Sequence, residues 1–208
     1  MYLLENKKFE NLSYLSAVHE ECTDPGGKYP VLLYLHGAGS RETDVNVLRS
    51  AASVVNAENL DVKMRIYAPQ CYADTWFEIF EQLIAFAKFV YSQPTTDRGR
   101  FYLTGVSMGG YGAWQLAMTC PELFAALLPI CGGGMYWNTV RLKEIPVWAF
   151  HGALDPAVYI TESINMVNGV NRAGGKAKLT VYPDVEHNAW DYAYKDPEFW
   201  NWMLLQKK

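Results

Sequence analysis

The amino-acid sequence predicts an α/β fold in which a mostly parallel sheet of about seven or eight strands carries helices on both faces. Short apolar runs alternate with longer amphipathic stretches along the chain, and this alternation is typical of such a sheet. Half of the 208 residues are hydrophobic and 19% are charged, as expected for one core of ordinary size. No repeat, linker or charge block divides the chain, so we expect a single domain over residues 1–208.

Seven apolar runs predict strands because they are rich in Val, Ile, Leu, Phe and Tyr, as strands buried on both faces are. They are residues 12–18, 31–36, 65–68, 101–106, 125–130, 147–150 and 179–182. Four stretches with apolar residues at helical spacing predict helices. They are residues 77–91, 107–118, 159–172 and 198–206. Residues 56–63 lack a clear period and are not assigned.

The charge and composition of the chain argue against nucleic acid as a partner and against a membrane span. The net charge is −4, and basic pairs occur only at the chain termini, so the basic face required for nucleic-acid binding is missing. The longest charge-free stretch, residues 123–140, contains Pro129 and three consecutive glycines and does not predict a membrane span.

The N-terminal residues lack the apolar region of a secretory signal, so we expect a cytoplasmic protein.

The cysteines give no indication of a metal or redox site. Cys22, Cys71, Cys120 and Cys131 form no C-x-x-C pair, so neither zinc nor a redox dithiol is expected. Disulfides are not expected either. Cys120 and Cys131 adjoin apolar patterns, where a free cysteine packs as a small hydrophobe.

The pattern Gly105-Val106-Ser107-Met108-Gly109 follows a predicted strand and opens a predicted helix. A serine at such a turn projects its hydroxyl from the carboxyl edge of the sheet, and the glycines prevent collisions with neighbouring elements. The alternative is a glycine-rich turn that binds phosphate at the helix N-terminus. Because the G-x-G-x-x-G spacing is absent and the pattern lies mid-chain, we predict that Ser107 is a nucleophile.

A serine nucleophile needs a base. Among the four histidines, His187 follows the last predicted strand, and a histidine after the serine and the acid fits this type of turn. His19 lies in the first strand region, and His36 and His151 each end a strand. We therefore predict His187 as the base and a structural role for His151.

The base in turn needs a carboxylate that orients it. Asp155 directly follows the strand at residues 147–150, at the sheet edge where such sites assemble. An N-cap aspartate is the competing interpretation of Asp155. Asp184 and Glu186 are competing acids, but they lie too close to His187 in the chain to reach its Nδ1 from behind. Asp155 is the predicted acid.

Acyl transfer also needs N–H donors for the developing oxyanion. Met108, directly after the nucleophile, supplies one backbone N–H. The second is expected from the small residues at 36–40, and we assign it to Ala38. The three glycines at 132–134 are interpreted as a loop beside the site.

Together these residues resemble the α/β-hydrolase superfamily, and within it the small serine esterases of the dienelactone-hydrolase, phospholipase/carboxylesterase and feruloyl-esterase groups. The resemblance covers residues 29–206. It rests on LHGAG at 35–39, APQ at 68–70, the turn at 105–110, HG at 151–152 followed by Asp155, and HNAWD at 187–191. It implies the α/β-hydrolase fold and a serine esterase that needs neither cofactor nor metal.

Two departures from the family restrict the range of substrates that we expect. Ser107 stands where true dienelactone hydrolases have cysteine, and there is no insertion long enough for a large lid between the sixth and seventh predicted strands. By the same analogy residues 69–76 form a rim of the pocket, so Cys71 is either an exposed thiol near the site or a packed residue. The aromatic side chains expected nearest Ser107 are Trp76, Trp137 and Trp190.

The sequence thus predicts a serine carboxylesterase that acts on small short-acyl or aromatic esters. A peptidase or a thioesterase with the same triad is the first alternative. A non-catalytic binding protein on the same scaffold is the second, although no member of the triad is missing. The oligomeric state does not follow from the sequence.

Overall fold

The computed structural model describes residues 1–42 and 44–208, which form one eight-stranded sheet with helices on both faces. The strands are β1 (Tyr2–Phe9), β2 (Leu12–His19), β3 (Tyr29–Leu35), β4 (Arg65–Pro69), β5 (Thr96–Val106), β6 (Ala126–Ile130), β7 (Val147–Gly152) and β8 (Ala177–Tyr182). Their order in the sheet is β1-β2-β4-β3-β5-β6-β7-β8. The pairs β1–β2 and β2–β4 are antiparallel, and the remaining pairs are parallel, which confirms the predicted fold class.

Two apolar layers cover the sheet. The helices are α1 (Ala52–Asn59), α2 (Phe80–Ser92), α3 (Met108–Thr119), α4 (Thr161–Arg172), α5 (Trp190–Ala193) and α6 (Pro197–Leu205), with short 3₁₀ helices at Glu20–Cys22, Ala38–Ser40, Val45–Ser50 and Tyr136–Leu142. Helices α2, α3 and α4 pack on one face of the sheet. Helices α1, α5 and α6 pack on the other. Alternate residues of the central strands enter the two layers, as the two-residue period of a strand requires.

Two elements were not predicted from the sequence. Strand β1 is a mostly exposed edge strand with polar residues, and a tight turn at Glu10, where φ is 51°, joins it to β2. Such a strand lacks the apolar run by which buried strands are recognised. Helix α1 is only eight residues long, and part of it lies in the segment left unassigned.

The helix boundaries shift by a few residues from those predicted. Helix α2 begins at Phe80 rather than at residue 77, because residues 75–79 form a turn in which Thr75 hydrogen-bonds to Glu78. Helix α6 begins at Pro197, and the side chain of Asp196 caps it by accepting from the N–H of Glu198.

The parallel strands bring the predicted site residues to one edge of the sheet. Strands β3, β5, β7 and β8 run in the same direction, so the loops that follow them meet at their carboxyl ends. No helix in the described part of the chain is long and apolar enough to cross a bilayer.

Candidate active site

Ser107 lies in the sharp turn between β5 and α3. Its backbone has φ 54° and ψ −120°, a conformation that costs a non-glycine residue about 1–3 kcal/mol. A Cβ at Gly105 would collide with the backbone of Gly109, and one at Gly109 would collide with the carbonyl of Leu35. The flanking glycines therefore allow the close approach of strand, turn and helix that holds the Ser107 hydroxyl at the sheet edge.

His187 connects the serine to the acid. It lies in the loop between β8 and α5, and its Nε2 is 2.8 Å from Ser107 Oγ. Its Nδ1 is 2.7 Å from Asp155 Oδ2. The buried Cys131 thiol donates to the carbonyl of His187 over 3.3 Å. This bond holds the loop between β8 and α5 from the side of the core. The imidazole is thus oriented through both ring nitrogens and through its own backbone.

Asp155 lies in the loop after β7, and both of its carboxylate oxygens are engaged. Oδ2 faces His187, and Oδ1 accepts from the N–H groups of Ala157 and Val158, each over 2.9 Å. Burial opposes ionisation of this carboxyl. The hydrogen bond from His187 and the two N–H groups outweigh burial and lower the pKa of Asp155 below its usual range. The side chain is therefore held as an anion.

His151 supports the carboxylate from the other side. Its Nε2 is 2.8 Å from the carbonyl of Val158 and 3.3 Å from Asp155 Oδ2. Because a carbonyl only accepts, Nε2 carries a proton. Nδ1 is 2.7 Å from Ser163 Oγ, and burial lowers the pKa of His151. The predicted structural role of His151 thus takes a specific form, which is direct contact with Asp155.

Three side chains around Asp155 have the donor types of a metal site. Cys131, His151 and Asp155 hold ligand atoms within 4.8 Å of one another in the described part of the chain. His151 Nε2 already donates to a carbonyl, and Asp155 Oδ2 faces His187. Burial raises the pKa of the Cys131 thiol to about 12, so it stays protonated. These donors are committed to the hydrogen bonds of the site rather than to a cation.

The loop after β3 passes directly beside Ser107. A Cβ at Gly37 would contact Ser107 Cβ, and Ala38 opens the 3₁₀ helix that follows. Within the described residues, no protein group accepts a hydrogen bond from the N–H of Ala38 or from that of Met108, the first residue of α3. Both amides can therefore donate to a substrate oxygen near Ser107.

Residues of the predicted pocket rim hold this loop from behind. Trp76 Nε1 donates to the carbonyl of His36 over 3.0 Å, and the N–H of Cys71 donates to His36 Nε2 over 2.9 Å. Gln70 Nε2 donates to the carbonyl of Ser40 over 2.6 Å. Contrary to expectation, Trp76 is fully buried and does not face the cleft.

Of the two alternatives for Cys71, an exposed thiol or a packed side chain, the structure shows the packed side chain. Its side chain is fully buried, and burial raises the pKa of its thiol. It is not an exposed thiol at the site. The motif at 68–70 and the loop that follows act on the site through the backbone of residues 36–40, which the family analogy alone did not indicate.

The structure separates the other two tryptophans. Trp190 lines the cavity in front of Ser107, and its ring centroid is 5.3 Å from that of His187. Trp137 lies on the 3₁₀ helix after β6, is 70% exposed and does not line that cavity. The cavity has a volume of about 590 Å³. Of the three predicted aromatic residues, Trp190 alone lies against it.

Comparisons with known proteins find one family model, one curated relative and several solved structures that are similar to this chain. Residues 49–195 match the model of the dienelactone hydrolase family. The endo-1,4-beta-xylanase Y of Acetivibrio thermocellus is 28% identical over 139 residues, which are 58% of this chain and 13% of that protein. A crystal structure of a thermostable esterase shares 32% identity with a TM-score of 0.85, covering 100% of this chain and 63% of the other. A ferulic acid esterase shares the fold at 17% identity and a TM-score of 0.73, covering 98% of both chains.

Proposed function

Since the chain belongs to the dienelactone hydrolase family and has the α/β-hydrolase fold, we propose that it is a serine carboxylesterase with Ser107, His187 and Asp155 as its catalytic triad. The observation that carries this proposal is the unbroken chain of contacts from Ser107 Oγ to His187 and on to Asp155, at 2.8 and 2.7 Å. Activity on carboxylic esters is further supported by the similarity to the thermostable esterase, at 32% identity.

Acylation begins when Ser107 Oγ attacks the carbonyl carbon of the ester while its proton passes to His187 Nε2. The resulting imidazolium is stabilised by the Asp155 carboxylate at Nδ1. The tetrahedral intermediate collapses when His187 gives that proton to the leaving alcohol oxygen. The acyl group is then bound to Ser107 Oγ as an ester.

Deacylation repeats these steps with water as the nucleophile. His187 Nε2 takes a proton from the water as its oxygen attacks the acyl carbon. The second tetrahedral intermediate releases the carboxylic acid and returns the proton to Ser107 Oγ. The enzyme is thereby restored without a net change in its protonation.

The N–H groups of Ala38 and Met108 stabilise the negative oxygen of both intermediates. Each such donor lowers the barrier by about 3 kcal/mol when it is fixed before the reaction. The contacts of His36 with Cys71 and Trp76 supply that rigidity for the loop that carries Ala38. Met108 is fixed because it begins helix α3.

We further propose a preference for short-acyl or aromatic esters. The connection between β6 and β7 holds only the 3₁₀ helix Tyr136–Leu142 and no large lid that would cover a long chain. Trp190 presents an aromatic wall to the cavity beside His187. Both features favour a small or flat acyl or alcohol group.

The test is covalent labelling with a fluorophosphonate, followed by measurement of kcat/KM on matched esters, thioesters and aminoacyl amides. Labelling is expected in the wild type and in Cys71→Ala, and is expected to be lost in Ser107→Ala. Among the substrates we expect the esters to be turned over fastest. Absence of labelling in the folded wild type would refute the triad, and faster turnover of thioesters or amides would assign the chain to the other classes of hydrolase.

A further inference from the structure

The cavity in front of Ser107 extends over one face of the sheet and reaches Tyr34. This residue lies on β3 and pairs in register with Thr104, three residues before Ser107 on the neighbouring strand. At about 3.3 Å per residue and about 4.8 Å between strands, the Cα atoms of Tyr34 and Ser107 are about 11 Å apart. Tyr34 therefore lies within reach of a part of the substrate that is distant from the reacting carbonyl.

The Tyr34 hydroxyl differs from those of its buried neighbours. Tyr194 shares a hydrogen bond with Thr104 Oγ1 at 2.9 Å, and Tyr102 donates to the carbonyl of Gln206 over 2.9 Å. Tyr34 is only 5% exposed, yet its hydroxyl has no hydrogen-bond partner among the described residues. Buried tyrosine hydroxyls usually find a partner. Those of Tyr14 and Tyr67 also lack one among the described residues, but of these three tyrosines Tyr34 alone lines the cavity in front of Ser107.

The Tyr34 hydroxyl is not sealed in the core, and the residue lines the cavity. The side-chain atoms that are shut off from solvent without a partner, within the described residues, are Ser53 Oγ, Gln70 Oε1 and Trp114 Nε1. The Tyr34 hydroxyl is not among them, and Tyr34 lines the cavity. A buried side chain thus presents an unpaired donor and acceptor to the space that a substrate would occupy.

The charges around the cavity decide which group this hydroxyl can bind. The described residues that line the cavity include Asp191 but no lysine or arginine. A carboxylate or phosphate on the substrate would therefore lose its hydration without gaining a counter-charge. Burial raises the pKa of Tyr34, so its phenol is neutral and can both donate and accept. These conditions favour a neutral oxygen.

We propose that Tyr34 is a specificity-determining residue whose hydroxyl binds a neutral oxygen substituent on the part of the ester distant from the reacting carbonyl. The proposal rests on the proposed esterase function. It adds that a good substrate carries a polar group where it meets Tyr34, at the end of the cavity distant from Ser107. A site that hydrogen-bonds such a substituent discriminates against the analogue that lacks it, because the buried hydroxyl is then left unpaired.

The experiment uses pairs of esters that differ in one hydroxyl. Ethyl 3-(4-hydroxyphenyl)propanoate and ethyl 3-phenylpropanoate test the acyl side. The acetates of 4-hydroxyphenethyl alcohol and phenethyl alcohol test the alcohol side. In the wild type we expect kcat/KM to favour the hydroxylated member about tenfold in one of the two pairs, and a 4-carboxyphenyl analogue to be a poorer substrate than either member.

The Tyr34→Phe variant removes only the hydroxyl, and the ratio of kcat/KM values within the preferred pair is expected to fall to about one. Tyr194→Phe is the matched control, since its ring lies 6.3 Å from that of Tyr34 but its hydroxyl is bonded to Thr104. In Tyr194→Phe the ratio should stay at its wild-type value. Thermal unfolding checks that both variants are folded.

Two outcomes would overturn the proposal for Tyr34 while leaving the esterase function intact. One is a wild type that hydrolyses both members of each pair equally well. The other is a Tyr34→Phe variant that keeps the wild-type ratio. Failure of the esterase function itself has a different result, because no ester would then be hydrolysed and Ser107 would not be labelled.

Discussion

Replacing His36 by glutamine should make the protein less sensitive to mild acid. His36 is fully buried, and its Nε2 accepts a hydrogen bond from the N–H of Cys71. Nδ1 lies 2.8 Å from the carbonyl of Gly37 and carries the proton. A second proton on Nε2 would break the bond to Cys71. Burial is the main cause that lowers the pKa of His36 to about 4, and the positive charge of Arg41 lowers it further. The hydrogen bond to Gly37 acts in the opposite direction but is outweighed.

The size of the effect follows from the difference between the folded and unfolded pKa values. An unfolded histidine has a pKa near 6.5, so between about pH 6.5 and pH 4 the unfolded chain binds the proton that the folded protein excludes. Acid therefore favours unfolding in this window, and full stability is present above it. The loss approaches about 1.4 kcal/mol per pH unit and amounts to about 2 kcal/mol between pH 7 and pH 5.

The assay is urea unfolding followed by far-UV circular dichroism, at pH 7 and pH 5, for the wild type and His36→Gln. Groups distant from His36 titrate alike in both proteins, so their contributions cancel in the comparison. We expect the free energy of unfolding to fall by about 2 kcal/mol more in the wild type than in the variant. An equal fall in the two proteins would refute the assignment of His36 as a buried neutral anchor.

Three further predictions concern the triad, the turn and the thiols. Asp155→Asn should lower kcat on a chromogenic acetate ester by about 10³–10⁴-fold in a folded protein, because an amide does not hold the His187 tautomer that accepts the serine proton. A decrease of less than tenfold would contradict that role. Gly109→Ala should prevent normal folding, because the added Cβ meets the carbonyl of Leu35. The control is Gly39→Ala, whose Cβ has open space around it, and this variant should melt close to the wild-type temperature. Similar melting temperatures for the two variants would contradict the turn geometry. All four cysteines are buried, so a thiol reagent should modify them only after unfolding, and rapid modification of the native protein would contradict their burial.

The sequence predicted the sheet well because its central strands depend on short-range patterns. The central strands are buried on both faces and therefore read as apolar runs. Ser107, Asp155 and His187 each follow such a run, and the carboxyl ends of parallel strands meet at one edge. Strand β1 escaped prediction because an exposed edge strand carries polar residues that match a loop as well as a strand.

The sequence could not predict which buried polar atoms would lack a partner. Tyr34 is in a strand run, and its sequence context predicts only that the ring is buried. Whether its hydroxyl meets a protein group depends on the residues that the fold brings to the end of that side chain. Thr104 provides such a group for Tyr194, whereas the described residues provide none for Tyr34.

The positions of Trp76 and Cys71 show how the loop after β4 contributes to the site. Both were assigned to the pocket rim, and both instead bind His36, which directly precedes the loop that carries Ala38. If Ala38 donates to the oxyanion as proposed, a flexible loop would have to be ordered during the reaction, at the expense of part of the roughly 3 kcal/mol that a fixed donor supplies. Fixing it from the core provides that order before the substrate arrives. The same contacts require His36 to stay neutral, so the rigidity of the loop at residues 36–40 and the expected acid sensitivity of the fold have a common origin.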